Sequence, residues 1–157
     1  NDYHPDHRYT ARLVADAAYL VRVPNVCPGV EPLDSDPVIC YLSNRFQKPS
    51  PFQPDVVVAV DDVVERKLDA VHEHASQVYE WLPWTNDGLD AVPEGEAARR
   101  EWLAETWGPR FRAVAERFRA DLVERYGEDG HDVAYAEAFE TCEYGAPLPD
   151  DPTTLFP

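Results

Sequence analysis

The sequence predicts an α/β chain built on a mostly parallel sheet, and three observations carry that expectation. Residues 56–60 are an unbroken apolar run, mostly β-branched, as in a strand covered on both faces. A helical pattern follows it directly: Val64, Leu68, Val71, Ala75, Val78 and Leu82 recur at steps of four and three. Residues 38–42 form a second short apolar run, a candidate buried parallel strand. A strand that leads straight into a helix is a unit of the doubly wound type, in which ligands collect outside the carboxyl ends of strands.

Taken in order, the elements begin with a helix over residues 5–21. Pro5 lacks an N–H and has φ preset, so it suits the first helical position. Asp6 places a negative charge in the first turn, where the helix dipole favours it. The apolar stripe runs through Ala11, Val14, Ala18 and Val21. One step back along it is His7, expected as the polar end of a buried face, with His4 just beyond. Pro24, Pro28, Gly29, Pro32 and Pro37 then make a loop.

After the strand at 38–42, residues 44–54 form another loop, with Phe46, Pro49, Pro51 and Phe52. Past the strand at 56–60, Asp61 or Asp62 is expected to cap the following helix. Residues 82–95 are expected as a loop with Pro83, Gly88 and Pro93, and 97–107 as a short helix. Gly108-Pro109 is expected to break it and to start another helix, with Phe111, Ala115, Phe118 and Leu122 on one face and Gly127 as its stop. The tail, 146–157, is rich in Pro and Asp and is expected to be irregular.

Composition excludes some functions. The 157 residues suit one domain, without internal repeats. With 30 acidic and 14 basic residues the net charge is −16, which argues against nucleic acid or an anionic membrane as partner. Cys27, Cys40 and Cys142 form no C-x-x-C and no disulfide ladder, which suits a cytoplasmic location. No apolar run approaches the ~20 residues of a membrane span. Without G-x-G-x-x-G or G-K-[ST], nucleotide binding has no support.

The chemistry gathers in the opening turn, Asn1-Asp2-Tyr3-His4-Pro5-Asp6-His7-Arg8. His4 and His7 are three apart and can face the same way at the helix mouth. Neutral imidazole is a common metal ligand, and a nearby carboxylate commonly fixes its tautomer. An H-x-x-H pair alone is more often a helix cap, and a catalytic zinc site needs about three protein ligands plus water. Elsewhere, Asp61 and Asp62 stand at the carboxyl end of a strand, where capping is the ordinary role. His72 and His74 are two apart and diverge on a helix, and His131 reads as a loop residue. Of Trp81, Trp84, Trp102 and Trp107, the segment Trp81-Leu82-Pro83-Trp84 stands out, because exposed loop aromatics can stack on a sugar face.

The run His4-Pro5-Asp6-His7-Arg8 resembles the second conserved motif of the PIG-L/LmbE-like zinc-dependent de-N-acetylases. Two further stretches are similar to that family, in family order. One is the strand at 55–62 with Glu65-Arg66-Lys67 and His74-Ala75-Ser76-Gln77; the other is Tyr135-Ala136-Glu137-Ala138-Phe139. Members remove acetyl groups from N-acetylglucosamine-containing substrates. The resemblance implies a Rossmann-like three-layer fold with a mostly parallel sheet, incomplete in this chain. The family's first motif, A-H-P-D-D-E, is absent, so residues 1–157 are expected to be the later part of a single deacetylase domain.

The missing N-terminal segment would then be a partner of this one, and Zn²⁺ the cofactor, its site incomplete here. The resemblance assigns His7 as the metal ligand and His4 as the group that stabilises the oxyanion or protonates the leaving amine. Asp6 would orient or tune His4. The substrate would be a small molecule or a glycoconjugate. The isolated chain would be inactive, and would expose apolar surface, associate (a homo-oligomer being one form of this) or be only partly ordered. The rival expectation is a non-catalytic binding or structural module that keeps the fold without a complete metal site.

Overall fold

In a computed structural model, which describes residues 2–156, α1 spans Pro5–Leu20. Asn1, in the opening motif, and Pro157, at the end of the tail, lie outside the described residues. The start signals of α1 act as expected: Pro5 opens the helix and Asp6 lies in its first turn. Its buried line does not follow the expected stripe. Ala15 and Ala18 are buried, whereas Ala11 and Val14 are exposed. Two alanines make a narrow contact, and the larger Tyr9, Leu13 and Tyr19 lie off it in solvent. His7 therefore ends no buried face; it is exposed.

The sheet departs from the expectation altogether. No mostly parallel, Rossmann-like three-layer sheet forms among the described residues. Among the described residues there is one small sheet with order β1-β3-β2, made of β1 (Cys40–Leu42), β2 (Val56–Ala59) and β3 (Ala136–Thr141). β1 and β3 pair antiparallel, with Cys40 opposite Thr141 and Leu42 opposite Phe139. Along β2, Asp55 N–H donates to Phe139 O at 2.8 Å and Val60 N–H to Tyr135 O at 2.9 Å. The partner falls in number as β2 rises, so this pairing is antiparallel too. A parallel contact survives only as an isolated bridge between Val38 and Ala146. The apolar run at 56–60 encodes burial, and burial is indifferent to the direction of the neighbour. The unexpected strand is β3, where Ala136 and Ala138 are wholly buried and Glu137 and Phe139 alternate with them.

The chain divides into two compact units, Asn1–Val57 with Ala138–Pro157, and Val58–Glu137. The first holds α1, β1 and the tail. Its buried residues are Ala15, Ala18, Phe52, Val56, Val57, Ala138 and Cys142. The tail is mostly irregular, with one 3-10 turn at Pro152–Thr154 and Phe156 stacked on Phe139 at 4.8 Å.

The second unit is helical: α2 (Val64–His72), a π-helical turn (Ser76–Trp81), α3 (Leu82–Thr85), α4 (Glu96–Arg117) and α5 (Arg119–Tyr126). Val64, Leu68, Val78, Tyr79 and Leu103 form its core, joined by partly buried Val71, Trp102, Trp107, Phe111 and Tyr135. The helix expected to run unbroken to Leu82 is interrupted after His72. The wider π turn lets Val78 and its neighbour Tyr79 both turn inward, while Ala75 of the expected stripe stays exposed.

Asp61 does not cap α2, whose first turn has no side-chain cap. Its carboxylate instead accepts from Ala134 N–H at 2.9 Å and Tyr135 N–H at 3.3 Å, which tethers the approach to β3. The expected break at Gly108-Pro109 is also absent, and α4 runs through Pro109. Pro109 removes one main-chain donor. Trp102, Leu103 and Trp107 before it and Phe111 after it all pack on the core, so burial on both sides holds the helix. The break comes at Phe118 (φ −114°, ψ 32°), and α5 ends at Gly127 (φ 63°) as expected. Gly130 then passes so close to α5 that a Cβ there would lie 2.6 Å from Leu122 C and 2.7 Å from Val123 Cα. Among the described residues no helix is long and apolar enough to cross a membrane.

Candidate functional site

The opening turn is built by the start of α1. His4 is its N-cap residue, in extended conformation (φ −90°, ψ 135°). Its imidazole does the work that a Ser or Asp side chain usually does: His4 Nδ1 accepts from Asp6 N–H at 3.2 Å. One turn on, the His7 ring lies 5.0 Å from the His4 ring, centroid to centroid. Tyr3 meets both rings edge-on, at 6.0 Å and 5.6 Å. Arg8 ties the turn from below, donating to Asp2 O at 3.2 Å and Tyr3 O at 3.0 Å.

Asp2 holds the turn together. Its Oδ1 accepts from His4 N–H at 2.9 Å and faces His7 Nδ1 at 3.0 Å. Desolvation is the largest single influence on the Asp2 pKa and raises it. The His4 backbone N–H, the bond and charge of His7, and the Tyr3 N–H together outweigh it and hold the carboxyl below its usual 3.8. Asp2 is thus a carboxylate near neutral pH and can only accept, so His7 Nδ1 must carry the proton.

These contacts give the two imidazoles different tautomers. When neutral, His7 donates through Nδ1 and keeps a lone pair on Nε2, the form a metal ligand takes with a carboxylate behind it. His4 accepts at Nδ1, so when neutral its proton is on Nε2, which makes it a hydrogen-bond donor on that side. His7 fits a metal ligand, and His4 fits a donor to developing negative charge. The Asp6 carboxylate is 3.8 Å from His4 Nδ1, beyond hydrogen-bond reach, and it is the Asp6 backbone that orients the ring. Among the described residues no three His, Cys, Asp or Glu side chains group to hold a metal ion. The turn on its own therefore offers fewer ligands than a zinc site needs.

Acid should undo this arrangement in one step. The folded pKa of Asp2 is depressed, so its tether is complete above 3.8 and is lost as pH falls through the folded value. We expect the His4 amide signal to move by NMR as the Asp2 carboxylate protonates in that window, and to stay in place in Asp2→Asn. A His4 amide that moves equally in the variant would show that Asp2 does not hold it.

The other candidates lie elsewhere. Asp61 is engaged with the chain before β3, and Asp62 is exposed. His72 donates to or accepts from Tyr79 Oη at 2.6 Å, a core-edge contact, and His74 and His131 are exposed. In the first unit, a concavity of 730 Å³ is lined by Tyr41, Asp55, Glu140 and Tyr144 among others. Two of its carboxylates already serve the chain: Asp55 accepts from Thr141 N–H and Glu140 from Gln53 N–H.

The sequence reading assigned Asp2 no role. The available signal was its position two before His4 and five before His7, within reach of both. Comparison of the chain with protein-family models, with curated proteins and with solved structures yields no match.

Proposed function

We propose that this chain carries part of the site of a zinc-dependent hydrolase that removes an N-acetyl group from an amino sugar or glycoconjugate. The observation that supports this reading is that the Nδ1 atoms of His4 and His7 meet opposite partners, the Asp6 N–H donor and the Asp2 carboxylate, which favours different neutral tautomers. It matches two distinct tasks, metal ligation through His7 Nε2 and hydrogen-bond donation through His4 Nε2. Zinc, when bound, polarises the acetyl carbonyl and lowers the pKa of a bound water. His4 would donate to the oxyanion or protonate the departing amine. Asp2 would hold the His7 ring, and Asp6 the His4 ring through its backbone N–H. The remaining ligands and the carboxylate that takes the water's proton would come from a further segment of the same domain. The unbridged Cys27, Cys40 and Cys142 fit a cytoplasmic setting. Self-association fits the exposed Tyr9, Leu13 and Tyr19 of α1.

A second reading, a non-catalytic binding or structural module, rests on one observation. His4 Nδ1 already has a complete structural job as the cap of α1. The experiment that separates the two is an acetate-release assay on the full-length gene product. With zinc supplied, acetate and a free amine should appear together from N-acetylglucosamine-bearing substrates, and a chelator should stop both. A zinc-loaded protein that releases no acetate from any such substrate favours the module.

A further inference from the structure

Trp81 and Trp84 are placed as a ligand platform. The π turn Ser76–Trp81 runs directly into α3, so the two indoles, three residues apart, lie on the same side of a continuous helical backbone. Their rings stack at 5.4 Å with 28° between planes. They remain 54% and 59% exposed, respectively. The backbone beneath them is anchored: Val78, Tyr79 and Pro83 are buried, and Thr85 Oγ1 and Asn86 Nδ2 both donate to Leu82 O, at 2.9 Å and 2.7 Å. The unit's other two tryptophans, Trp102 and Trp107, pack on the core. Two large side chains are thus stacked on each other in water above an anchored backbone, an arrangement that hydrophobic burial alone disfavours.

The surroundings select the ligand. The indoles face a concavity of 630 Å³ whose other lining residues are Ser76, Gln77, Glu80 and Leu89. Beside the apolar indoles and Leu89 stand three polar side chains, Ser76, Gln77 and Glu80, and an acyl chain would have to desolvate the Glu80 carboxylate. The concavity contains no Lys or Arg, and Glu80 with the net charge of −16 repels phosphate and nucleic acid. A pyranose matches both parts, because its C–H face is apolar and its edge carries hydroxyls. The indoles would take the face. Ser76, Gln77 and Glu80 would take the edge, with the Glu80 carboxylate accepting from hydroxyls.

We propose that Trp81 and Trp84, with Ser76, Gln77 and Glu80, bind an oligosaccharide of uncharged or amine-bearing pyranoses. The proposal goes beyond the deacetylase reading and does not depend on it, since none of these residues belongs to the opening turn and no metal is involved. The test uses the full chain with a chelator present. Chitotetraose and cellotetraose are titrated in turn by calorimetry, while NMR follows the indole N–H signals. Saturable binding should shift Trp81 and Trp84 and leave Trp102 and Trp107 in place. Trp81→Ala and Trp84→Ala should each weaken binding about tenfold with an unchanged thermal transition. Absence of saturable binding to either sugar overturns the proposal, as does undiminished binding by the double variant. The same indole shifts with neutral phosphatidylcholine vesicles, and none with sugar, would instead mark a lipid-facing surface. Because the titration needs neither zinc nor turnover, a protein that releases no acetate but binds chitotetraose leaves this proposal standing.

Discussion

His7→Ala should abolish zinc binding and N-deacetylation together in the full-length gene product, the largest functional effect expected of any single change. The Nε2 lone pair of His7 is the one metal donor that the contacts of the opening turn prepare, because Asp2 occupies the opposite nitrogen. His4→Ala should act differently, because its Nε2 carries the proton and does not ligate. Zinc content should stay, and kcat should fall by about two to three orders of magnitude, the usual cost of losing an oxyanion donor or positioned acid. Asp2→Asn removes the carboxylate behind a ligand and should lower zinc affinity about 10–100-fold. Asp6→Asn keeps the backbone N–H that orients His4 and should leave metal affinity alone. Metal analysis of the four purified variants beside acetate-release kinetics reads all of this. Equal loss of zinc from His4→Ala and His7→Ala would show that the tautomer split does not divide their roles.

Leu103→Ala should cost about 2–5 kcal/mol of stability, the usual range for truncating a buried leucine to alanine. Leu103 is 0% exposed and sits on α4 in the cluster with Val64, Leu68, Val78 and Tyr79. Its neighbours are held from separate elements, α2 and the π turn, so neither can collapse into the space without disturbing the other. A loss of that size is a large share of the ~5–15 kcal/mol that holds an ordinary domain. Leu89→Ala is the control: Leu89 is 45% exposed, and its truncation should stay within about 0.5 kcal/mol. Urea unfolding followed by far-UV circular dichroism measures both. A Leu103→Ala midpoint indistinguishable from the parent would mean that this cluster does not stabilise the second unit.

What the sequence made legible follows from local physics. Pro5 and Asp6 announce the start of α1, the β-branched run announces β2, and Gly127 announces the end of α5. What it hid depends on partners. Val56, Val57 and Val58 would look the same beside a parallel or an antiparallel neighbour. That neighbour, β3, begins Ala136-Glu137-Ala138, residue types that favour strands poorly, and its alternation emerges only with burial. Gly108-Pro109 carried a local stop signal that packing of Trp107 and Phe111 overrode. In the opening turn, the pairing of imidazoles was legible from their spacing. Their tautomers were not, because these depend on which donor or acceptor, Asp6 N–H or Asp2 Oδ1, reaches which ring nitrogen.

The proline inside α4 has a consequence for how that helix yields. With no N–H at position 109, the Glu105 carbonyl has lost the donor that would close its turn. A turn earlier, the Thr106 hydroxyl already shares the carbonyls of Trp102 and Leu103, at 2.8 Å and 3.3 Å. The ladder of main-chain bonds therefore has a seam near its middle, and fraying that starts at Glu96 meets a weak rung before it reaches Arg110. The helix is continuous, but its main-chain ladder is weakest beside Pro109. Solvent deuterium should enter the residues before and after Pro109 at two different rates.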